Sequence, residues 1–472
     1  MGKVLRLEIM QTNFSLKLSR FLVYLAIFLI PFYFFRFSIG PIRTNVFEVV
    51  VLVALLNTLY VIRNTKKVVW GSIWSYLFLS ASFISIFVAP DKVSALGIFK
   101  GWFLVPIILY FLILNLFMMS SSGRQRPRIK YGASSGPGIQ DIPQRNFMDS
   151  RFHGNDKNTE EYFKLIVPIF TSFTIVGIWS LLQSLGLITV LFYQKGDVSF
   201  FQYLSSNNFR IFGPFESPNF LAMFLVPVFF LSLPILGYAK KISKTVFFLA
   251  LIPFAIAVYD LLMTGSRAGI VAFTIPFVIL VLNKTQIVSA SGRQRPRLRG
   301  NDNKKWLTAI ALLIVILMFC LILIRVSTDR SESNSSRLQI YHYSLEIGQA
   351  SPVSGIGLGS FYQRITEISR DDIDFQVKVL PYALHPHNIY LAMWLNLGFL
   401  GLILFLIIVG TLFHRLLSLS NNFIAACLMA AMVAILIHGL FDTTYFKNDL
   451  SAFFWLILAL VELITLHKNA ES

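Results

Sequence analysis

Twelve apolar segments constrain this chain more than any other feature of its sequence. Each approaches the roughly 20 residues needed to cross a hydrocarbon core; they lie near 20–36, 45–62, 69–89, 97–118, 163–185, 218–238, 245–263, 267–283, 306–324, 389–411, 422–441 and 449–466. Only 14% of the residues are charged, against about 25% in soluble domains. The sequence therefore predicts an all-α, multi-pass membrane protein of about twelve transmembrane helices and excludes a soluble enzyme.

The positions of lysine and arginine predict the orientation of these helices. With a cytoplasmic N-terminus, the inside segments carry 26 of the 41 basic residues, the outside segments and helix ends carry 14, and Lys164 lies at an inner boundary. We therefore expect both termini in the cytoplasm and two long loops, 186–217 and 325–388, on the outer side. The chain has a net charge of +18, and its basic residues lie between apolar segments that could not pack in water. We therefore expect a lipid bilayer as partner and no nucleic acid.

The apolar pattern also divides the chain. The predicted parts are helices one to four (1–118), a cytoplasmic insertion (119–161), helices five to eight with the first outer loop (162–283), a second insertion (284–305), helix nine (306–324), the long outer loop (325–388) and helices ten to twelve (389–466). Both insertions contain the heptapeptide SGRQRPR, at 122–128 and 291–297. Binding of anionic lipid or nucleic acid is one interpretation of this heptapeptide. The polar, Gly/Pro-rich composition instead favours disordered segments that a cytoplasmic loop tolerates.

Three arginines stand out on the predicted outer side: Arg210, Arg267 and Arg337. Guanidinium is permanently charged and binds phosphate oxygens in a bidentate manner. Arg267 is the sharpest case, because it lies between two apolar segments with almost no loop around it. Together the three predict a site for a diphosphate group. The alternative for each is an arginine that reaches the lipid headgroups or pairs with an acid such as Asp260.

The end of the long outer loop contains a second candidate, His385-Pro-His387-Asn388. Histidine is the natural general base near neutral pH and can take a proton from an attacking hydroxyl. The structural alternative is a histidine that merely caps the next helix together with Asn388. A metal site would need three or four ligands, and the other candidates in this loop are loosely spaced: His342, Asp371, Asp372 and Asp374. We therefore predict no metal.

The sequence around the second histidine resembles a family signature. His387-Asn388, nine further residues and Gly398-Phe-Leu-Gly401 resemble the motif of the bacterial O-antigen ligase family, which also includes O-antigen polymerases. Further segments are similar in the same order: 213–219 (GPFESPN), 265–269 (GSRAG), and Arg337 followed by 352–359 (PVSGIGLG). The resemblance covers about residues 205–410. The two insertions depart from the family, as does Ala268, where many relatives have glycine.

The resemblance implies a glycosyltransferase of lipopolysaccharide biosynthesis in the bacterial inner membrane. Such an enzyme moves a glycan from undecaprenyl diphosphate to a hydroxyl on the periplasmic side, without a cofactor. The acceptor is lipid A–core in a ligase, the function we favour, or the growing glycan in a polymerase. Carried over by motif position, Arg267 and Arg337 would bind the diphosphate, and His387 would activate the acceptor. Three further substrate contacts are expected, the first from its charge and side alone: Arg210, Asn219 and Asn388.

Two other classes of membrane protein compete with this interpretation. Metal-dependent oligosaccharyltransferases are similar in hydropathy, but they place acids in the first outer loop, and residues 37–44 contain none. A multi-pass solute transporter could line a path with polar residues inside the membrane; the candidates are Glu48, Asp260, His438 and Asp442. The ionisable residues cluster at the outer rim and in the long loop, which favours an enzyme.

The predicted orientation can be tested with a reporter that fluoresces only in the cytoplasm. Fusions after Arg128 and Arg297 should fluoresce, because both positions lie in predicted cytoplasmic segments, and a fusion at Asp372 should stay dark. Immunoblotting of each fusion controls for its abundance. Fluorescence at Asp372 would reverse the orientation and move the candidate residues to the cytoplasm.

Overall fold

The structure is a computed structural model that describes residues 2–40, 42–118, 156–188, 210–290, 331–419 and 422–469. The predicted ninth helix, 306–324, lies outside these ranges. So do most of both insertions and most of the first long outer loop.

The described residues are mostly helical, as expected of an α-helical membrane protein. The helices are α1 (Gly2–Leu29), α2 (Val46–Thr65), α3 (Ile73–Val88), α4 (Lys92–Phe99), α5 (Val105–Met118), α6 (Asp156–Ser184), α7 (Pro218–Ser232), α8 (Pro234–Ile242), α9 (Lys244–Met263), α10 (Arg267–Ala290), α11 (Ser331–Ala350), α12 (Phe361–Ile368), α13 (Ile373–Lys378), α14 (Ile389–Leu417), α15 (Phe423–His438) and α16 (Asn448–Asn469). A π-helical turn, Lys100–Leu104, joins α4 to α5. A short antiparallel hairpin, β1 (Arg36–Ile39) and β2 (Ile42–Asn45), precedes α2 and was not predicted.

Seven helical spans in the described ranges are long and apolar enough to cross a membrane: Met10–Phe32, Val46–Thr65, Lys92–Phe117, Glu160–Ser184, Lys244–Met263, Ile389–Leu417 and Asn448–Thr465. The pair α7 and α8, bent by 47°, forms an eighth if it is one span. Shorter apolar helices occur in α3, α10 and α15. The chain is thus a multi-pass α-helical membrane protein, and eleven of the twelve apolar segments fall on described helices. The count of twelve membrane spans stays a prediction.

The first helix begins much earlier than the apolar pattern predicts. The expected start is near residue 20, whereas α1 begins at Gly2. No proline or glycine follows until Pro31, so nothing in this polar stretch breaks the helix. Asn57 of α2 holds it in place by donating to the carbonyl of Ser15 and the hydroxyl of Ser19, both at 2.7 Å. Hydropathy locates the part of a helix that suits a membrane, not the ends of the helix.

The long outer loop is a folded helical unit from Ser331 onward. Helices α11, α12 and α13 share a small apolar core that includes the buried side chains Ile340, Ile365 and Phe375. Leu395 of α14 belongs to the same core, so the unit packs against the membrane helix that follows it. The hydropathy pattern predicts only a loop here, because these helices are too polar and too short to be membrane spans.

A break in α14 ties this helical unit to the bundle. Gly398 has φ 70° and ψ −177°, a conformation essentially limited to glycine. The Phe399 amide, which would otherwise bond the Leu395 carbonyl, donates to the Pro352 carbonyl at 3.0 Å. The Leu395 carbonyl accepts from the Ile356 amide at 2.8 Å instead. The broken helix therefore exchanges its own backbone bonds for bonds to the loop.

The glycine-rich segment 352–359 has a structural role in this connection. Gly355, Gly357 and Gly359 all have positive φ. A Cβ atom on Gly355 would lie 2.5 Å from the Leu395 carbonyl oxygen, and one on Gly357 would overlap the backbone of Ala89. Glycine is required here because two backbones approach each other closely.

The loops predicted to lie outside meet at one end of the bundle. Glu216 is within 3.5 Å of both Arg36, in the hairpin, and Lys447, before α16. The Ile211 amide donates to the carbonyl of Met263, at the end of α9. We call this the loop end of the bundle. Its orientation relative to the membrane stays a prediction.

The break in α14 predicts an unequal effect of two alanine substitutions on the same helix. Gly398→Ala should lower the melting temperature of the detergent-purified protein by a few degrees, since a non-glycine residue in such backbone costs about 1–3 kcal/mol. The added Cβ would also overlap the Val353 carbonyl. Gly410→Ala is the matched control, because no atom lies within 4 Å of a Cβ there. Equal melting temperatures for Gly398→Ala and the wild type would contradict the role assigned to the break.

A candidate active site around His387 and Asp442

His387 is held in an uncommon backbone conformation directly before α14. Its φ is 48°, a left-handed value that few non-glycine residues adopt. The next residue, Asn388, caps α14 by accepting from the amides of Tyr390 and Leu391 at 2.9 and 3.1 Å. Asn388 therefore has the structural role that the sequence analysis gave as the alternative. The strained backbone next to it sets the direction of the His387 ring.

Both histidines of the motif face one carboxylate. The Nδ1 atoms of His387 and His385 lie 3.5 and 3.7 Å from Oδ1 of Asp442. The two imidazole centroids are 4.1 Å apart. Asp442 lies in the turn between α15 and α16, and its side chain is only 3% exposed. The structure thus adds an acid that the sequence analysis had placed only on a possible transport path.

Burial and neighbouring charges shift the pKa values of the residues in this cluster. Burial alone would raise the pKa of Asp442, but the contact with His387 and the nearby His385 outweigh it and hold that pKa well below its usual value. Burial lowers the pKa of His385, and the like charge of His387 lowers it further. At neutral pH the cluster therefore contains an aspartate anion beside a neutral His385.

Hydrogen bonds to neighbouring backbone fix the position of His387. Its carbonyl accepts from the hydroxyl of Tyr341, on α11, at 2.9 Å. The same hydroxyl reaches the carbonyl of Leu440 at 3.2 Å, and so does the side-chain amide of Asn388. The Nε2 atom of His387 lies 3.2 Å from the carbonyl oxygen of Tyr382. The outer-loop unit and the turn that carries Asp442 are therefore joined at this residue.

Two predicted substrate contacts connect to the same carboxylate. Arg210 Nη2 donates to Asn219 Oδ1 at 3.3 Å, and Asn219 Nδ2 donates to Asp442 Oδ2 at 3.2 Å. Arg210 Nε also donates to the Thr264 carbonyl. The structure thus brings both Arg210 and Asn219 into the cluster, where they orient Asp442.

The segment 213–219 is built to hold Asn219 in place. Gly213, with φ 56°, donates its amide to Gln183 of α6 at 2.8 Å. Glu216 forms an ion pair with the buried Lys447. Ser217 then caps α7 through the Phe220 amide, and a proline follows at the first helical position, where a missing N–H does no harm. This local order explains the pattern GPFESPN.

Arg267 is the first residue of α10. Ser266 caps the helix by accepting from the Gly269 amide at 3.2 Å. Gly269 allows α10 to approach α7, since a Cβ there would lie 2.7 Å from Cβ of Ala222. Arg267 thus stands where helix amides and the helix dipole favour an anion. Arg210 bonds the same turn at Thr264, so these two arginines flank one turn.

Arg337 lies on α11, one helical turn before Tyr341. Its charge contributes to the lowered pKa of His385, which places it in the electrostatic surroundings of the histidine pair. Asp260, the alternative partner for an outer arginine, is fully buried. Its carboxylate oxygens have no hydrogen-bond partner within the described ranges.

The structure also identifies which side chains have the spacing of metal ligands. Asp372 is engaged elsewhere, because it accepts from the Tyr343 hydroxyl at 2.9 Å and caps α13. Among the residues that the structure describes, one group of three has ligand atoms within 4.8 Å of one another: His385, His387 and Asp442. This group differs from the loop acids considered in the sequence.

The fold and the site define a multi-pass membrane protein with arginines and a histidine–aspartate cluster at one end of its bundle. Residues 252–406 match the model of the family described as O-antigen ligase. This match confirms the resemblance seen in the sequence: the chain carries an O-antigen ligase family domain. The matched segment includes Arg267, Arg337 and His387, whereas Arg210 and the turn with Asp442 lie outside it. A search of curated proteins found no match.

Proposed function

We propose that this protein transfers a glycan from undecaprenyl diphosphate to an acceptor hydroxyl on lipid A–core, at the periplasmic face of the bacterial inner membrane. The observation that supports this most is the contact between His387 and the buried Asp442, at the bundle end where the arginines gather. The family match at residues 252–406 supports a glycosyltransferase of the ligase or polymerase type.

The His387 ring is the general base in this proposal. As a base the ring needs its proton on Nδ1, directed at the Asp442 carboxylate 3.5 Å away, and a free Nε2. The Tyr382 carbonyl beside Nε2 favours the other tautomer, so the proton moves to Nδ1 when the acceptor displaces that carbonyl. The aspartate anion stabilises the imidazolium that forms. The acceptor hydroxyl takes the position at Nε2 that the Tyr382 carbonyl occupies at 3.2 Å. The contact between His387 and Asp442 should shorten when substrate binds, as catalytic hydrogen bonds often do.

The arginines stabilise the leaving group. The acceptor oxygen bonds to the anomeric carbon as the bond from that carbon to the diphosphate oxygen breaks, so the anomeric configuration inverts. Negative charge then builds on undecaprenyl diphosphate. Arg267, at the N-terminus of α10, and Arg337 compensate this charge. Because guanidinium supplies the positive charge, the scheme needs neither a metal nor a cofactor.

A polymerase of the same family would use the same site with the growing glycan as acceptor. The lipopolysaccharide of a deletion strain distinguishes the two functions. Loss of every capped core on a gel indicates a ligase, and caps of one repeat unit indicate a polymerase.

Two of the four residues suggested for a transport path have close local partners in the structure. Glu48, a residue of the suggested path, is buried against Lys100 at 2.7 Å and accepts from Asn448 at 2.9 Å. Asp442, another residue of that path, faces His385 and His387. Both acids are therefore engaged in local contacts.

The base assignment predicts unequal effects of two alanine substitutions. His387→Ala should lower the transfer rate by roughly 10²–10⁴, the usual contribution of a positioned base, with donor binding retained. His385→Ala is the matched control and should do much less, since it does not hold the base position in the motif. Transfer by purified variants is measured with chelator present throughout. Near-normal transfer by His387→Ala together with loss in His385→Ala would show that the other imidazole is the base.

The diphosphate assignment predicts that charge alone is insufficient at Arg267. Arg267→Lys should weaken donor binding by roughly tenfold or more, because a lost bidentate contact is worth about 1.5–3 kcal/mol. Arg210→Lys should have a smaller effect. Arg364→Lys is the matched control. Arg364 forms an exposed ion pair with Glu367 on α12, so this substitution should leave donor binding unchanged. Small, equal effects of lysine substitutions at Arg267, Arg337 and Arg210 would show that all three only contact lipid headgroups.

A further inference from the structure

Three ligand atoms at the loop end of the bundle converge on one point. They are Nδ1 of His385, Nδ1 of His387 and Oδ1 of Asp442, and the two nitrogens lie 3.7 and 3.5 Å from the oxygen. Hydrogen bonds of this type are usually 2.7–3.2 Å long. In a tetrahedral zinc site with bonds of about 2.0–2.1 Å, neighbouring ligand atoms are roughly 3.3 Å apart. The observed separations are closer to those of ligands that share a metal.

The surroundings of these atoms favour a metal as well. Both Nδ1 atoms are shielded from solvent and have no hydrogen-bond partner within the described ranges. The other nitrogen of His387, Nε2, lies 3.2 Å from the Tyr382 carbonyl oxygen. A carbonyl only accepts, so this contact favours hydrogen on Nε2 and leaves the Nδ1 lone pair facing Asp442. Metal-bound histidines are held in this way by a carbonyl at the second nitrogen.

The carboxylate is oriented independently of the histidines. Asp442 Oδ2 accepts from Asn219 at 3.2 Å, and Oδ1 accepts from the Thr443 amide at 2.9 Å. Both bonds keep Oδ1 directed at the two rings. The site is therefore formed before any ion arrives.

We propose that His385, His387 and Asp442 form a Zn²⁺ site with its fourth position open to water, and that zinc bound there inhibits glycan transfer. The inhibition rests on the proposed function, whereas the binding does not. As a base, His387 needs its proton on Nδ1 and a free Nε2. Zinc takes the Nδ1 lone pair and leaves the proton on Nε2. The bound ion therefore holds the ring in the tautomer that cannot accept a proton from the acceptor.

Nearby positive charge limits how tightly the ion binds. Arg337 and Lys447 both act electrostatically on His385, and a dication would be repelled by both. Asp442 supplies the one negative charge among the three ligands. We therefore expect an exchangeable ion that a chelator removes.

Calorimetric titration of the purified full-length protein, first stripped with EDTA, with ZnCl₂ tests the binding without any transfer assay. We expect one zinc per chain and an affinity at least about tenfold lower in His385→Gln and Asp442→Asn. His414→Gln, at the opposite end of α14, is the matched control and should bind as the wild type does. Absence of a saturable one-to-one site, or equal affinity in His385→Gln, would overturn the proposal.

Zinc titration of the transfer reaction tests the inhibition. Wild-type transfer should fall as the zinc site fills, and His385→Gln should need at least tenfold more zinc to lose half of its own zinc-free rate. Stimulation by zinc, or equal sensitivity of the two proteins, would overturn the inhibitory role. One-to-one zinc binding by a wild-type protein that shows no transfer after chelation would support the site and overturn the proposed function.

Discussion

Buried backbone polar groups must find partners within the protein, and this requirement governs the break in α14. Gly398 interrupts the helix, so Phe399 and Leu395 lose their mutual backbone bond and take partners in the segment 352–359. That exchange fixes the outer-loop unit onto the membrane helix. The same helix begins at Ile389, two residues after His387. The contacts at the break therefore also hold the outer loop, which carries the base of the proposal. Tyr341, from the outer-loop unit, then bonds the His387 carbonyl.

Asp442 is the electrostatic centre of the site. Its two oxygens face different neighbours: Oδ1 faces the histidine pair, and Oδ2 accepts from Asn219. Through Asn219 it connects to Arg210, which is bonded to the turn before Arg267. A single buried carboxylate therefore links the general base of the proposal to the arginine side of the site. The same geometry creates the ligand set proposed for zinc, so the two proposals share His387 and Asp442.

The sequence predicted the parts of this site that depend on local order. The position of Arg267 at the start of a helix was predicted, and the helix cap at Asn388 was given as the structural alternative to substrate binding; both follow from neighbouring residues. Asp442 could not be assigned in this way, because only the packing of α15 and α16 brings it to the histidines. The early start of α1 and the helices between residues 331 and 378 were missed for another reason. Hydropathy identifies segments that suit a membrane, and these segments are too polar for it to detect.

The central claim is that Asp442 orients and charges His387 for proton transfer. The most direct test is the transfer rate of purified Asp442→Asn with a lipid-linked donor and chelator present, with donor binding measured in parallel. The substitution keeps the size of the side chain and removes the charge that stabilises the imidazolium. We predict a loss on the order of 10²-fold or more in rate, with donor binding close to that of the wild type. A rate near that of the wild type would contradict the account.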